Sequence, residues 1–66
     1  MNYPDLPEQK DLSLAEKVYQ ALKMGILSMN IKPREALFIG DLADFYQISR
    51  TPVREALISL EKEGWV

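Results

Sequence analysis

Apolar residues recur three and four positions apart in the segment after Ser13, which is the spacing of one face of an α-helix. Ser13 followed by Glu16 is the pattern of a capping box, in which two side chains bond the free backbone amides at a helix start. The pattern therefore predicts a first helix that begins after Ser13 and ends near Asn30, ahead of a break at Pro33. Its apolar face comprises Leu14, Val18, Ala21, Leu22, Ile26 and Met29.

The middle of the chain carries shorter patterns. Residues 36–39 form a brief apolar stretch that could be a strand. Leu42, Phe45 and Tyr46 then share one helical face, and acidic residues lie near the start of their segment, where the helix dipole favours negative charge. We expect a short second helix over residues 41–46, followed by a turn at residues 47–49.

The third helix has the clearest pattern. Its apolar face carries Val53, Ala56, Leu57 and Leu60 at helical spacing. Ser49 and Thr51 are both good cap residues, and Pro52 suits a first turn, where its missing amide proton costs nothing. Gly64 is placed to adopt the left-handed conformation that ends a helix. The pattern predicts a helix over residues 51–63.

The first twelve residues differ from the rest in composition. They contain Pro4 and Pro7 and lack helical periodicity, so residues 1–12 are expected to be a flexible N-terminal lead-in. A chain of 66 residues is one small domain at most, and the patterned part, residues 13–66, would be that domain.

The composition excludes several functions. The chain has no cysteine and no histidine, which removes the usual metal ligands and the usual general base, so we predict no metal site, no cofactor and no catalytic residue. Apolar runs are too short to cross a membrane, and no secretion signal is present, so a cytoplasmic protein is expected. The net charge of −2 means that any DNA-binding surface must be locally basic.

The second and third helices meet the demands of a helix-turn-helix unit, whose second helix enters the major groove of DNA. Ala43 is small enough for close helix packing. At 100° per residue, Thr51, Arg54 and Ile58 form a stripe about 120° from the apolar face, and Arg50 lies just ahead of it. Guanidinium groups bind guanine edges or phosphates, and serine and threonine hydroxyls suit phosphate oxygens. DNA binding at the start of the third helix is the leading interpretation.

Simpler interpretations exist for each feature. Two arginines at a helix start are often only solvated charge, and Ser49 and Thr51 often serve only as caps. An alternative function is a small helical protein–protein interaction module that would use Ile58, Trp65 and neighbouring apolar surface.

The stretch "SRTPVREAL" at residues 49–57 adds a family resemblance. Together with "EKVYQALKMGILSMNIKPREAL" and "LADFYQIS" upstream, in the same order, it resembles the N-terminal DNA-binding domain of the GntR family of bacterial transcription regulators. The resemblance covers about residues 14–66, and the form of the motif is most similar to the FadR-like branch.

The resemblance implies a mostly α fold: the three-helix helix-turn-helix core of a winged helix, with at most a short strand and with the chain ending before the wing. It implies that a longer regulator binds double-stranded operator DNA as a homodimer and binds a small-molecule effector through a C-terminal domain absent here. Carried over by position, the DNA contacts would fall on Ser49, Arg50, Thr51, Pro52 and Arg54.

Several positions depart from the family pattern; glycine is usual at Arg34, and basic residues are frequent at Ile58 and Ser59, whose absence lowers the expected phosphate affinity. The family usually has glycine at Gln47, a serine cap at Phe38 and a basic residue at Gly40. Gln47 must therefore accept a left-handed backbone at a modest energetic cost, or the turn must take another form. A phosphate contact from the side chain at position 40 is not expected.

Overall fold

The structure is a computed structural model that describes residues 3–32 and 35–66 of the 66-residue chain. Three α-helices lie within the described residues: α1 (Leu14–Leu27), α2 (Ile39–Tyr46) and α3 (Arg50–Lys62). Helix α3 packs against both α1 and α2, and no strand is present in the ranges 3–32 and 35–66. The expected three-helix, mostly α core of a helix-turn-helix domain is confirmed.

Helix α1 starts as predicted. The backbone amide of Glu16 donates to the Ser13 hydroxyl at 3.1 Å, and the backbone amide of Ser13 donates to the Glu16 carboxylate at 2.9 Å, which completes the capping box. The helix ends at Leu27, earlier than the expected end near Asn30, and the left-handed backbone of Met29 (φ 67°) prevents its continuation. The predicted break at Pro33 lies outside the described residues.

Gly25 allows a close approach within this part of the fold. A Cβ atom at Gly25 would lie 2.7 Å from the Cδ1 atom of Ile31, which is far below a normal van der Waals separation. Ile31 folds back against the helix, and its backbone amide donates to the Gly25 carbonyl at 3.0 Å. Glycine at this position therefore lets a buried isoleucine cover the end of α1.

The segment before α2 differs from the prediction. Residues 36–38 have no regular secondary structure, and Ile39 already belongs to α2, so the possible strand at residues 36–39 is wrong. An isolated extended segment has no ladder hydrogen bonds, and strand formation depends on a neighbour that a local pattern cannot reveal. Helix α2 therefore begins two residues before the expected position, Asp41, with Phe38 as its N-cap residue.

The turn between α2 and α3 comprises Gln47, Ile48 and Ser49. Gln47 adopts the left-handed conformation (φ 58°, ψ 48°), at a cost of roughly 1–2 kcal/mol for a residue with a side chain. Its amide donates to the Asp44 carbonyl at 3.3 Å, and the Ile48 amide donates to the Ala43 carbonyl at 3.1 Å. These are the two bonds of a Schellman motif. The turn has the left-handed conformation that glycine would favour, and Gln47 adopts it at this energetic cost.

Helix α3 ends in the same way. Gly64 has a φ of 81°, as predicted, and the amide of Trp65 donates to the Leu60 carbonyl at 2.9 Å. The side chain of Trp65 is half-buried against the core, and its Nε1 donates to the Glu63 carboxylate, which also accepts the hydroxyl of Tyr19 from α1. This arrangement ties the end of α3 to α1.

The core lies between the three helices and includes part of the N-terminal segment. Its buried apolar side chains are Tyr3, Val18, Ala21, Leu22, Ile26, Ile31, Leu42, Ala43, Val53, Ala56 and Leu60. None of the helices in the described ranges is long and apolar enough to span a bilayer.

Residues 3–12 lie beside the helices, in the segment for which we expected a flexible lead-in. Tyr3 is only 7% exposed and packs edge-on to Phe45, with 5.1 Å between ring centroids. The Tyr46 hydroxyl donates to the Pro4 carbonyl at 2.6 Å, and burial, with a smaller contribution from Asp5, raises the pKa of Tyr46 to about 12. Phe45 and Tyr46 of α2 thus contact Tyr3 and Pro4 at the start of the described chain.

Candidate nucleic-acid interface

Helix α3 separates its side chains as the sequence pattern predicts. Val53 and Leu60 are fully buried, whereas Thr51, Arg54 and Ile58 are exposed. The buried face packs against α1 and α2, and the stripe lies on the part of α3 that remains exposed. The second helix of the helix-turn-helix unit thus has a free face.

The start of α3 is open because its N-cap serine makes no side-chain capping bond. Ser49 has the extended backbone of an N-cap residue (φ −70°, ψ 166°). A serine in this position normally accepts a hydrogen bond from the amide two or three residues into the helix. The third residue of α3 is Pro52, which has no amide hydrogen, and the amide of the second residue, Thr51, makes no bond to the Ser49 hydroxyl. The Ser49 hydroxyl and the amides of Arg50 and Thr51 are left available to a ligand.

Arg50 lies beside the start of α2. A Cβ atom placed on Gly40 would be 3.3 Å from Nη2 and 3.7 Å from Cζ of Arg50, so the guanidinium occupies the space that a side chain at position 40 would take. Arg50 is exposed, and its side chain forms no hydrogen bond or ion pair with the described residues. Its charge is therefore free to meet a partner.

Arg54 lies one turn further along α3. It borders a shallow groove with Ile58 and Leu37, and the carboxyl-bearing residues Glu35 and Glu61 border the same groove. In the part of the chain that the structure describes, the Arg54 guanidinium forms no salt bridge within 4 Å, so it too is available.

The start of α3 (residues 49–54, called the tip below) differs in the sign of its charge from the chain as a whole. The first turn of α3 contains no acidic residue, while its unbonded amides add the positive end of the helix dipole to the charge of two guanidinium groups. The net charge of the chain is −2, so positive potential at this tip is local. Such a tip suits phosphate oxygens and the acceptor edges of guanine.

All five predicted contact residues lie together at this tip. Ser49, Arg50, Thr51 and Arg54 are exposed, and Pro52 is half-buried. Sequence reasoning did not find Gly40 as a neighbour of this group, because the relation joins two helices. A glycine leaves space that a neighbouring side chain can fill, but the sequence alone does not show which side chain fills it.

The fold and the exposed cationic tip define a helix-turn-helix protein. Residues 14–66 match the family model "Bacterial regulatory proteins, gntR family". The chain belongs to the GntR family, and it is a DNA-binding helix-turn-helix domain of a transcription regulator. It is also similar to an uncharacterized HTH-type transcriptional regulator in an unstable DNA locus of Streptomyces ambofaciens, with 43% identity over 49 residues.

The similarity to that regulator covers 74% of this chain and 21% of the relative, so the chain spans about a fifth of the length of the curated relative that it matches. No solved structure matches the chain.

Proposed function

We propose that this domain reads operator DNA through the start of α3, with Ser49, Arg50, Thr51, Pro52 and Arg54 at the interface. The single observation that carries the proposal is the open start of α3: an uncapped first turn without acids, flanked by two guanidinium groups that form no ion pair with the described residues. A helix-turn-helix unit places this end of its second helix in the major groove. The alternative end of α3 carries Glu61 and Glu63 and would repel phosphate.

The five residues fall into groups with different roles in the proposed contact. The Ser49 and Thr51 hydroxyls and the first amides of α3 bind phosphate oxygens, which positions the helix. The guanidinium groups bind phosphates or base edges, and Pro52 fixes the backbone of the first turn. Ile58, which is 46% exposed on the same stripe, is placed to contact a thymine methyl group.

The larger regulator is part of the same proposal. The matched relative is several times longer than this chain, which supports a further domain. By family resemblance the full regulator is a cytoplasmic homodimer on a pseudo-palindromic operator, and its C-terminal domain binds a small-molecule effector. Two-fold symmetric half-sites would then match the two-fold symmetry of the protein.

A titration of the labelled chain with a mixed-sequence DNA duplex at low salt tests the proposal. We expect NMR signals of residues 49–54 to shift first, since phosphate contacts dominate non-specific binding. Arg54→Ala should weaken binding more than Lys62→Ala, which removes the same charge at the far end of α3. Equal effects of the two substitutions, or shifts elsewhere in the domain, would argue against the proposed interface.

The rival function, a protein interaction module, has weaker support. It relied on Ile58, Trp65 and neighbouring apolar surface, and Trp65 is half-buried with its Nε1 bonded to Glu63. Ile58 remains as an exposed apolar side chain beside the groove that Arg54 borders. If DNA moves no signal at residues 49–54, this rival replaces DNA reading as the interpretation of the α3 surface.

A further inference from the structure

We infer that residues 3–7, called the strap below, position the helix-turn-helix unit for DNA: the strap ties the end of α2 to α1 and so holds the left-handed turn at Gln47. Tyr46 is the positioning residue in this arrangement. The inference rests on the proposed function, and it concerns a segment for which the sequence predicted only a flexible lead-in.

Helix α2 depends on α3 for its close backbone support. In the described ranges, no Cα atom of α2 lies within 8 Å of a Cα atom of α1, whereas both helices pack closely against α3. Helices α1 and α2 meet only through side chains, such as Leu22 and Leu42, that belong to the common core. A further link between these two helices therefore bears directly on the orientation of α2.

Pro4 supplies such a link. Its Cδ atom lies 3.1 Å from the position that a Cβ atom on Gly25 would take, so the proline ring rests against the backbone of α1. Its carbonyl accepts the Tyr46 hydroxyl at 2.6 Å, in a partly buried position at the last residue of α2. One residue thus contacts α1 with its side chain and α2 with its main chain.

Aromatic packing anchors the strap on the same part of α2. Tyr3 is buried, and its ring lies edge-on to Phe45. Phe45 lies edge-on to Tyr46 in turn, with 5.0 Å between ring centroids. Further along the strap, Leu6 packs against the core. Edge-to-face ring pairs stabilise a contact beyond the area that they bury, so the strap is a packed part of the domain.

The strap reaches α2 where the chain enters the turn to α3. Tyr46 is the last residue of α2, and the next residue, Gln47, has a φ of 58°. A residue with a side chain adopts this conformation at an energetic cost that glycine does not incur. Such a conformation persists only where the surrounding structure holds it. Because this turn sets the relation of α2 to α3, release of Tyr46 should loosen the DNA-binding unit.

Two tyrosine-to-phenylalanine variants of the 66-residue chain form the test. Tyr46→Phe removes the donor to the strap. Tyr19→Phe is the matched control, because it removes the donor to Glu63 at the end of α3. The measurements are amide hydrogen exchange, binding to a mixed-sequence duplex over a range of salt concentrations, and thermal unfolding, which reports whether each variant keeps its fold.

We expect Tyr46→Phe to speed amide exchange at Gln47 and Ile48, whose amides close the turn after α2. Exchange at Trp65, whose amide closes the turn after α3, should not change. Binding should weaken by about two- to tenfold, the range that the loss of one neutral hydrogen bond can produce. The slope of log affinity against log salt should stay the same, because no phosphate contact is lost. Tyr19→Phe should speed exchange at Trp65 and leave DNA binding unchanged.

Two further variants show whether Tyr46 acts through the strap and the turn. Tyr3→Leu releases the strap at its aromatic anchor, so its loss of binding combined with that of Tyr46→Phe should be smaller than the sum of the two. Gln47→Gly should reduce the effect of Tyr46→Phe on binding, since glycine adopts the left-handed turn without support. Full additivity in both pairs would overturn the inference.

The failures of the two proposals are distinguishable. If Arg54→Ala weakens DNA binding no more than Lys62→Ala does, the proposed function is wrong and the positioning role falls with it. If Arg54→Ala does weaken binding more, but Tyr46→Phe binds DNA as Tyr19→Phe does, the proposed function stands and the role of the strap is overturned. A reduced salt slope for Tyr46→Phe would make its hydroxyl a phosphate contact, which also overturns the inference.

Discussion

Helices α1 and α3 both begin after a serine with the same extended backbone, yet only one of these serines closes its helix. Ser13 (φ −70°, ψ 165°) accepts the Glu16 amide, and Glu16 bonds back to the amide of Ser13. Ser49 (φ −70°, ψ 166°) makes no side-chain capping bond. The backbone therefore does not explain the difference, but the two helices differ at their third residue.

The third helical residue is Glu16 in α1 and Pro52 in α3. Glutamate supplies both an amide donor and a carboxylate acceptor, whereas proline supplies neither. One helix start is thus satisfied within the fold, and at the other the serine hydroxyl has no capping partner among the described residues. The comparison teaches that a serine with the usual N-cap backbone but without a capping hydrogen bond can indicate a binding surface.

The largest effect is expected when the third residue of α3 is replaced by the third residue of α1. Pro52→Glu would create the capping-box sequence after Ser49 and would place a carboxylate at the proposed DNA contact. We expect DNA binding to weaken by at least about 1.4 kcal/mol, or tenfold, because a negative charge would face phosphate. The measurement is a titration with a mixed-sequence duplex at low salt, and Pro52→Ala is the matched control, since it also restores the amide but adds no charge.

The same pair of variants should differ in the opposite direction in stability. Both lose the conformational restriction of proline, so their comparison isolates the carboxylate, which should stabilise the helix start by about 0.5–1 kcal/mol. Urea unfolding measures the difference. If the glutamate variant binds DNA as well as the alanine variant does, the start of α3 does not contact phosphate.

The helix starts also show how far sequence reasoning reaches. The capping box at Ser13 and the left-handed turn at Gly64 depend on residues within a few positions, so the local pattern was sufficient for both. One part of the open state of Ser49, the missing amide hydrogen of Pro52, follows from the same local rules once the helix is known to begin at Arg50 and not at Thr51. A shift of one residue in a predicted boundary was enough to hide it.

Other features could not be predicted because they join distant parts of the chain. The brief strand at residues 36–39 was expected from apolar composition, but a strand needs a partner, and the described chain offers none. The burial of Tyr3 depends on Phe45 and Tyr46 of α2, more than forty residues away. The approach of Arg50 to Gly40 likewise requires the packed angle between two helices.

A second prediction sharpens the comparison through stability alone. Ser13→Ala should lower the free energy of unfolding by about 1 kcal/mol, within the usual range for a lost N-cap. Ser49→Ala should change it far less, because that hydroxyl makes no capping bond. Urea unfolding of the two variants under identical conditions provides the test, and equal losses would show that Ser49 caps α3 in solution. On DNA the order should reverse, with only Ser49→Ala weakening the binding.

The smallest expected effect is a lowered pKa of one carboxyl group, that of Glu16. Hydrogen bonds from the Ser13 backbone amide and, to a lesser extent, from its hydroxyl lower the pKa of Glu16 below its ordinary value of 4.5. Because the folded pKa lies below the unfolded one, the contribution of Glu16 to stability is present above about pH 4.5 and is lost as the pH falls through the folded pKa. The carboxyl signal of Glu16 in an NMR titration should therefore have a midpoint below 4.5.

Ser13→Ala should move that midpoint part of the way back, since the backbone amide remains as a donor. Glu63 is an internal control, because its lowered pKa arises first from the Tyr19 hydroxyl and should not respond to a change at Ser13. Ser49→Ala should leave both midpoints unchanged, as the first turn of α3 has no carboxylate to titrate. An ordinary midpoint for Glu16 in the normal chain would mean that the capping box is open in solution, and the two helix starts would then differ less than their third residues suggest.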